Sequence, residues 1–346
     1  MKRTCVLLSV FLLCFPVGCG ESDSLVYEKE ALASEFLSLA DEVIIGEDGV
    51  SFTDGTGQAW TVASAPERVY SLYASFTTLW YEAGGTVAGC IGGALAKEAY
   101  FDAIGRDVSE DEGMTILSEY TLASKWNVEG IVAGKPDLIL CSTAMNGYAT
   151  IAPPAEALGI PVIAVDYDDF KDYLKWFKVF CNLTERPDLW ESVALPALEE
   201  VVELLLELPK ESPSVLCLFS GSVSLQANLS TTVLGGMIKS LHADNVADGF
   251  YNASGATRLP VNLETVYAAD PDLILVQCHA SEEENRLLVE REYGDNPVWN
   301  ALSAVREGRV YYLEKKLFHN KPNRRFAEAY RTLAEILYPQ AFGDQP

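Results

Sequence analysis

Positive charge is scarce in this sequence of 346 residues. Lys and Arg total 25 against 50 Asp and Glu, which gives a formal net charge of −25. A surface this acidic repels phosphate backbones and anionic lipids, so the composition argues against a nucleic-acid-binding protein. It also offers no basic patch for electrostatic attachment to a membrane, so any membrane attachment must have another origin.

Histidine and the common catalytic motifs are also scarce. Only three His occur, and all of them lie in the second half of the chain. No GxGxxG follows the first predicted strand, and neither GxSxG nor HExxH is present. We therefore expect no enzymatic activity. If the chain does catalyse a reaction, it is expected to be a lipid-anchored α/β enzyme. A lipoprotein for adhesion or scaffolding is a further alternative without enzymatic activity.

Cysteines are present but lack the spacing of a disulfide framework or a zinc site. Five of the eight lie beyond the N-terminal region, and no CxxC pair exists. Three of them fall within or at the ends of apolar, strand-like runs. We expect all five to be small buried hydrophobic residues. They are Cys90, Cys141, Cys181, Cys217 and Cys278.

The N-terminal segment has the parts of an export signal. Lys2 and Arg3 precede an apolar run over residues 6–17, which is too short to span a bilayer comfortably. The run ends in Pro-Val-Gly before Cys19, and polar residues follow. This order resembles the bacterial lipoprotein box, although Pro16 stands where an aliphatic residue is usual. The resemblance implies cleavage after residue 18, diacylation of Cys19 and an extracytoplasmic, lipid-anchored protein. The alternative is a plain secretory signal with an incidental cysteine.

Beyond this segment the chain has the composition and periodicity of two α/β units. Apolar residues make up 49% and charged residues 22%, which allows large buried cores. Short apolar runs alternate with helical stretches, and this texture restarts after Pro213, as expected for βαβ units with parallel sheets. The runs are residues 69–72, 86–89, 138–140 and 162–165 in the first set, and 215–219, 273–276 and 310–313 in the second.

A long helix is predicted between the two sets. Residues 188–208 are rich in Leu, Glu, Ala and Val; Pro187 suits a helix start, and Pro209 and Pro213 suit its end. Pro196 is predicted to kink this helix or to mark its true beginning. The expected organisation is a signal peptide (1–18), a tether with a short helix (19–45), an N-terminal lobe with a leading hairpin (46–173), a linker with the spine helix (174–209), a C-terminal lobe (210–338) and a tail (339–346).

An internal repeat supports the two lobes. The segment at residues 127–140 recurs at residues 262–275 with a constant offset, and each copy has Asn, an aliphatic residue and Glu before a Pro-Asp turn and an apolar strand. Asn127 and Asn262 are predicted to cap short helices, with Glu129 and Glu264 in the first turn. One copy in each lobe predicts that the lobes are related by pseudo-symmetry.

Several segments, in this order, resemble the solute-binding proteins of siderophore, haem and cobalamin ABC importers, the class III type. They are Asp-Gly-Thr-Gly at 54–57, Ala-Pro-Glu-Arg-Val at 65–69, the two repeat units, Leu-Gly-Ile-Pro-Val at 158–162, and residues 304–311. The resemblance covers residues 48–338. It implies two Rossmann-like α/β lobes joined by one long spine helix, with a ligand cleft between the lobes.

The resemblance also implies partners. In this family one Glu on each lobe docks onto Arg residues of the permease, and the matching positions here are Glu129 and Glu264. The alternative explanation for a Glu at these two positions is that it compensates the dipole of its helix. The expected partners are an ABC permease dimer with its ATPase, a small metal chelate, and the membrane through the lipid anchor; the protein itself is expected to be a monomer.

Ligands of parallel α/β lobes bind beyond the carboxyl ends of the strands, and this rule selects loops in both lobes. His279 and His319 would ligate iron only if the ligand is haem or a free metal. Arg258, Lys321, Arg324 and Arg325 are candidate partners for an anionic chelate. No resident cofactor is expected, and the ligand is expected to be a ferric siderophore, with haem, cobalamin or an oxyanion as alternatives. The predicted ligand-binding residues are Tyr73, Ser75, Tyr120, Asn146, Tyr148, Tyr167, Ser222, His279, His319, Lys321 and Arg324.

Overall fold

A computed structural model describes residues 21–63, 65–143, 146–221 and 224–343. The predicted signal peptide, Cys19 and Ser222 lie outside these residues. The described part of the chain begins with helix α1 (Glu21–Asp41), which is longer than the short helix that we expected. A small antiparallel sheet follows, consisting of β1 (Ile44–Gly46), β2 (Gly49–Thr53) and β3 (Ala59–Val62). The pairing of β2 with β3 is the predicted hairpin.

The N-terminal lobe is a five-stranded sheet in the order β6-β5-β4-β7-β8, and every pair in it is parallel. Three of the four predicted runs coincide with β4, β7 and β8, which are buried over nearly their whole length. The elements are β4 (Val69–Ser71), α2 (Ala74–Glu82), β5 (Gly89–Ile91), α3 (Ala94–Ile104), β6 (Thr115–Ser118), α4 (Val128–Ala133), β7 (Leu138–Ser142), α5 (Gly147–Glu156) and β8 (Val162–Val165).

Helices connect the two lobes. Helix α6 (Phe170–Leu183) is followed by a helical run that comprises α7 (Pro187–Leu189), a wider π-helical turn at Trp190–Ala194, and α8 (Leu195–Leu206). Pro196 has no N–H to donate into the preceding turn, which accounts for a widened turn just before it. The 20-residue run from Pro187 to Leu206 has a length of about 30 Å.

The C-terminal lobe has the sheet order β12-β10-β9-β13-β14, with β11 beside β9. Its β9, β13 and β14 are parallel, whereas β10 is antiparallel to both of its neighbours. The elements are β9 (Ser214–Ser220), β10 (Leu225–Asn228), α9 (Val233–Ser240), β11 (Asp244–Asn245), β12 (Arg258–Pro260), α10 (Leu263–Ala269), β13 (Leu273–Cys278), α11 (Glu282–Tyr293), α12 (Pro297–Ala301), α13 (Ser303–Arg306), β14 (Val310–Leu313), α14 (Lys315–Phe318), α15 (Phe326–Leu337) and α16 (Pro339–Phe342).

The mixed sheet of this lobe differs from the all-parallel sheet that we predicted. Only four residues separate β9 from β10, and Gly221 N donates to Ser224 O across the turn. A parallel connection needs about a dozen residues or more, so such a short link forces an antiparallel hairpin. The predicted two-lobed α/β fold is otherwise confirmed, with one sheet in each lobe.

Helix packing holds the lobes together behind the cleft. One hydrophobic core extends from α1 and the N-terminal sheet through α6 and α8 to one face of the C-terminal sheet, and a second core covers that sheet's other face. Phe326 of α15 packs between aromatic rings of α6, with its ring centroid 4.9 Å from that of Phe170. Helix α1 contacts both α6 and α8, and Lys29 pairs with Glu199 and Glu203 of α8.

Within the described part of the chain, no helix combines the length and the apolar character needed to cross a membrane.

Candidate ligand-binding cleft

A cavity of about 210 Å³ lies between the two lobes. Its lining is mostly polar, with hydroxyl groups from both sides and two basic residues from the C-terminal lobe. The N-terminal lobe contributes Tyr73, Phe76, Ser142, Thr143, Tyr167 and Asp168; the C-terminal lobe contributes Thr231, Thr232, Val233, Thr257, Arg258, Gln277, Phe318, His319, Asn320 and Lys321. Such a surface suits a compact ligand that carries hydrogen-bond acceptors.

Arg258, the first residue of β12, is the main charged group of the cleft. Its guanidinium carbon lies 3.8 Å from the centre of the Phe219 ring, and its Nε donates to Asn228 Oδ1 at 2.8 Å. Burial lowers the pKa of Arg258. No carboxylate of the described residues forms an ion pair with it. A half-buried guanidinium without a counter-ion favours an anionic ligand.

Lys321 places a second cation at the cavity. Its Nζ donates to the backbone oxygen of Tyr167, lies 4.6 Å from the centre of that tyrosine's ring, and is 3.7 Å from Asp168 Oδ1. Burial lowers the pKa of Lys321, and the charge of Asp168 acts in the opposite direction. The lysine and its contacts lie on opposite lobes, so this residue both lines the cleft and joins its two sides.

His279 and His319 form a contact pair at the C-terminal side of the cleft. His279 Nδ1 lies 3.3 Å from His319 Nε2, and the ring of Phe219 stacks on His319. Burial, together with the charge of His279, lowers the pKa of His319 to about 4, and burial also lowers the pKa of His279. Both rings are therefore neutral at pH 7. His319 Nδ1 is buried and has no hydrogen-bond partner among the described residues.

Two aromatic residues of the N-terminal lobe form the opposite wall. Tyr73 caps the start of α2, and its ring lies 4.9 Å from that of Phe76. Tyr167 follows β8, and its hydroxyl donates to Asn323 Oδ1 at 3.0 Å. Burial raises the pKa of both tyrosines, so their hydroxyl groups are protonated hydrogen-bond donors at neutral pH.

The cleft brings together Tyr73, Tyr167, His319 and Lys321 from the predicted ligand-binding residues, with His279 in contact with His319. Ser75 lies in a separate, smaller space between the lobes. Arg324 also lines that space, where its exposed side chain lies 3.8 Å from Glu82.

The remaining predicted residues are elsewhere in the N-terminal lobe. Tyr120 is 60% exposed and Asn146 is also exposed, whereas Tyr148 is half-buried and interacts with Thr56 of the hairpin. None of the three lines the cavity between the lobes. Loop residues at the carboxyl ends of the strands thus lie near the same edge of their sheet, but only some of them face the other lobe.

Three threonines that line the cleft were not predicted from the sequence. Thr231 and Thr232 lie between β10 and α9, where Thr232 caps the helix by accepting from Gly235 N. Thr257 immediately precedes β12. The signal for Thr232 was present as an N-cap residue before an apolar run. Its place in the cleft depends on the antiparallel strand β10, which was not predicted.

The two repeat units adopt the same local structure. Asn127 Oδ1 accepts from Gly130 N, and Asn262 Oδ1 accepts from Thr265 N, each at 3.1 Å. Glu129 and Glu264 are in the first turns of α4 and α10, as predicted, and both are exposed. Neither forms an ion pair with a described residue. The two helices follow strands of different sheets, so each lobe presents one unpaired carboxylate.

Residues able to hold a metal without help from a ligand are not grouped in the described parts of the chain. No cluster of three or more His, Cys, Asp or Glu side chains is arranged for coordination there. At the cleft, the two neutral imidazoles are nitrogen ligands that a metal could use. Two lobes around a polar cavity define a binding protein for small solutes.

Comparisons with known proteins agree with this class. Residues 121–317, more than half of the chain, match the sequence profile described as "Periplasmic binding protein". The chain belongs to this family of binding proteins and is not an enzyme, as we expected. The membership also confirms the resemblance to class III substrate-binding proteins.

Two curated relatives come from Bacillus subtilis strain 168. The uncharacterized ABC transporter substrate-binding lipoprotein YvrC is 23% identical over 85% of this chain and 87% of its own length. The Fe(3+)-citrate-binding protein YfmC is 27% identical over 72% of this chain and 74% of its own length. Among solved structures, Staphylococcus aureus IsdE complexed with heme aligns with a TM-score of 0.62 and 18% identity, covering 78% of this chain and 98% of that chain. This structural likeness establishes the shared fold.

Proposed function

We propose that the chain is an extracytoplasmic, lipid-anchored solute-binding protein that delivers an anionic iron chelate to an ABC importer. Arg258 carries this proposal, because its half-buried positive charge lines the cleft without a counter-ion among the described residues. Lys321 adds a second cation on the same side. Hydrogen bonds from a guanidinium to a carboxylate are charge-assisted and directional, so they suit the oxygen-rich chelates of ferric iron.

A compact chelate fits the cleft better than a large macrocycle. Ligand pockets for drug-sized molecules usually have volumes of about 300–1,000 Å³, and this cavity of about 210 Å³ is smaller. The hydroxyl groups of Tyr73, Thr231 and Thr257 add hydrogen-bonding capacity around it. The likeness to a Fe(3+)-citrate-binding protein supports a small carboxylate chelate as a representative ligand. Ferric siderophores with carboxylate groups belong to the same chemical class.

Haem is the second candidate ligand, and one specific observation favours it. The neutral His279–His319 pair places an unpartnered imidazole nitrogen beside the cleft, and a neutral imidazole is a common axial ligand of haem iron. The likeness to a heme uptake protein, IsdE of S. aureus, supports this alternative. Haem would require wider separation of the lobes than the present cavity provides.

A titration with purified protein distinguishes these ligands. We would titrate ferric citrate, a neutral ferric trihydroxamate, haemin and cyanocobalamin into the unmodified protein and into Arg258→Gln. We expect ferric citrate to bind and the substitution to weaken it about 10- to 100-fold, since hydrogen bonds to charged groups contribute about 1.5–3 kcal/mol. Equal binding by Arg258→Gln, or a preference for cyanocobalamin, would refute the proposal.

A matched control is available within the same lobe. Arg286 lies over the ring of Tyr312 at 4.2 Å, as Arg258 lies over Phe219, but it is exposed and does not line the cleft. Arg286→Gln removes the same charge at a comparable aromatic contact. We expect it to bind ferric citrate with unchanged affinity. A Soret band shift with haemin that is lost in His319→Ala would instead support the haem alternative.

We further propose that Glu129 and Glu264 dock onto basic residues of the two permease subunits. Each lobe offers one exposed carboxylate at the start of a corresponding helix, an arrangement that a two-fold partner can recognise. Interfacial charges of this kind mainly steer and orient the partners. Replacing both residues by Lys should abolish uptake by whole cells and leave chelate affinity unchanged. A loss of chelate binding in the purified double variant would contradict this role.

Attachment to the membrane is proposed through a diacylated Cys19. The likeness to a substrate-binding lipoprotein supports it. Metabolic labelling with an alkynyl fatty acid should mark the unmodified protein and fail to mark Cys19→Ser. Equal labelling of both proteins would refute lipidation at this residue.

A further inference from the structure

Arg258 is connected to the backbone of helix α14 through two buried amide side chains. Its Nε donates to Asn228 Oδ1 at 2.8 Å. Asn228 Nδ2 donates to Gln277 Oε1 at 2.7 Å, and Gln277 Nε2 donates to the backbone oxygen of Phe318. Asn228 is fully buried and Gln277 is 5% exposed. We call this series of three hydrogen bonds, from Arg258 through Asn228 and Gln277 to Phe318, the relay. It crosses the sheet from β12 through β10 to β13.

Hydrogen-bond donation along the relay can run in only one direction, from Arg258 to the backbone oxygen of Phe318. An arginine side chain has donors but no acceptor, so Asn228 must turn its carbonyl oxygen towards Arg258. Its amide nitrogen then faces Gln277, which must accept with its own oxygen and donate onward to a backbone carbonyl. The backbone oxygen of Asn228 is also held, because it accepts from Asn245 Nδ2 at 2.8 Å. Each side-chain orientation is thus determined by its neighbour.

This arrangement leaves the two terminal nitrogens of Arg258 for the cleft. Its Nε is occupied by Asn228, and one face of the guanidinium is covered by the Phe219 ring. Within residues 21–63, 65–143, 146–221 and 224–343, no carboxylate pairs with this arginine. Two parallel N–H groups at the end of a fixed guanidinium match the two oxygens of a carboxylate.

We propose that Asn228 and Gln277 are positioning residues that hold Arg258 for two-point recognition of a carboxylate on the ligand. The relay thereby selects carboxylate chelates over neutral chelates of similar size. It ends on Phe318, so it also fixes the start of the segment that carries His319 and Lys321 into the cleft. This inference rests on the proposed function and narrows its ligand class.

The test compares affinities for ferric citrate and for a neutral ferric trihydroxamate in Asn228→Asp and Gln277→Met. Asn228→Asp retains an acceptor for Nε but adds a negative charge beside Arg258. We expect it to weaken ferric citrate at least tenfold and to reduce the salt dependence of that binding, with little change for the neutral chelate. Gln277→Met should make the Arg258 side chain more mobile. We expect it to lower the ratio of the affinity for ferric citrate to that for the neutral chelate about threefold to tenfold. A relay with only a structural role would alter both affinities alike, and that result would overturn the inference.

A second measurement is independent of any chelate. In the unmodified protein, the Arg258 Nε–H should give an NMR signal that exchanges slowly with water, because it is half-buried and donates to the fully buried Asn228. Asn228→Ala should accelerate that exchange strongly, whereas Asn252→Ala, which changes an amide in the same lobe, should not. Fast exchange in the unmodified protein would overturn the relay. A slowly exchanging signal without any binding of ferric citrate would instead refute the proposed function, and with it the selective role of the relay.

Discussion

Lys315 Nζ lies 2.6 Å from Glu98 Oε2 and joins α14 of the C-terminal lobe to α3 of the N-terminal lobe. One turn further along α3, Asp102 lies 3.5 Å from Lys316. Asn323 adds a buried contact between the lobes, because its side chain accepts from the Tyr167 hydroxyl and donates to Thr78 Oγ1. These contacts stand at one side of the cleft and favour the closed arrangement of the lobes.

Removing the two acidic partners should make the cleft open more often. In Glu98→Gln/Asp102→Asn we expect ferric citrate to dissociate about two- to fivefold faster, since partly exposed ion pairs each contribute about 0.2–1 kcal/mol. Stopped-flow dissociation measures this rate. The control is Glu282→Gln, which breaks the Arg286–Glu282 pair inside α11. Equal dissociation rates in the double variant and the control would show that these pairs do not hold the lobes together.

Glu82 should make stability depend on pH. Burial raises the pKa of this carboxyl group to about 8, and the charge of Arg324 opposes the shift only in part. The folded protein thus retains a proton that the unfolded chain releases above its ordinary pKa of about 4.5. By linkage, the free energy of unfolding should fall as pH rises from about 4.5 to about 8.

The substitution Glu82→Gln should remove this fall in the free energy of unfolding with rising pH. Relative to the unmodified protein, we expect the variant to gain on the order of 1–3 kcal/mol in unfolding free energy between pH 5 and pH 8. Urea unfolding at a series of pH values measures the difference. Glu200→Gln, at an exposed position on α8, provides the control. Parallel pH profiles for the unmodified protein and Glu82→Gln would contradict the assignment.

Phe326 packs α15, the last long helix, against the N-terminal lobe. It is fully buried, and its ring centroid lies within 6.4 Å of those of Tyr167, Phe170, Tyr173 and Tyr330. Phe326→Ala should lower the free energy of unfolding by about 3–5 kcal/mol, because it leaves a cavity in this cluster. Phe101→Ala, at a phenylalanine that is 57% exposed, should change it by less than about 0.5 kcal/mol. Denaturant titrations of both variants provide the comparison.

The five described cysteines should be unreactive in the folded protein. All are free and buried, and burial raises the pKa of each thiol, to about 11 for Cys90 and Cys278 and to about 12 for Cys141 and Cys181. With so little thiolate, a chain that starts at residue 20 should react with no equivalents of Ellman's reagent when native. In guanidinium chloride it should react with five. Rapid labelling of the native protein would contradict this burial.

The strands that could be predicted from the sequence are those with a continuous apolar run. The run at 162–165 coincides with β8 and that at 310–313 with β14, because continuous apolar residues leave few other structures. The run at 86–89 was placed about three residues early. Its Thr86 carbonyl accepts from the Trp80 indole rather than from a neighbouring strand, so β5 starts only at Gly89.

Strands β6 and β10 were harder to predict. Strand β6 carries Ile116, which is 41% exposed, so its four residues lack a clear apolar face. Strand β10 has alternating polar residues and depends on a tight turn after β9. The rule that ligands bind beyond the carboxyl ends of strands therefore selected Tyr73 and Tyr167. It could not select Arg258, which begins a strand and was proposed from its charge alone.

The relay behind Arg258 was not predictable either, for a physical reason. Asn228, Gln277 and Phe318 lie on three separate elements, and only the pairing of β10, β9 and β13 brings them together. The exposed pair of Glu129 and Glu264, in contrast, follows from a local repeat, and its helix caps could be predicted from the sequence alone.

Native mass spectrometry of the protein recovered from cells that produce it, grown with limiting iron, tests the central claim most directly. We predict a bound mass that contains one ferric ion with an anionic organic chelator, and its absence from Arg258→Gln recovered in the same way. A bound species without iron, or the same iron chelate at equal occupancy in Arg258→Gln, would contradict capture of an anionic iron chelate by this cleft.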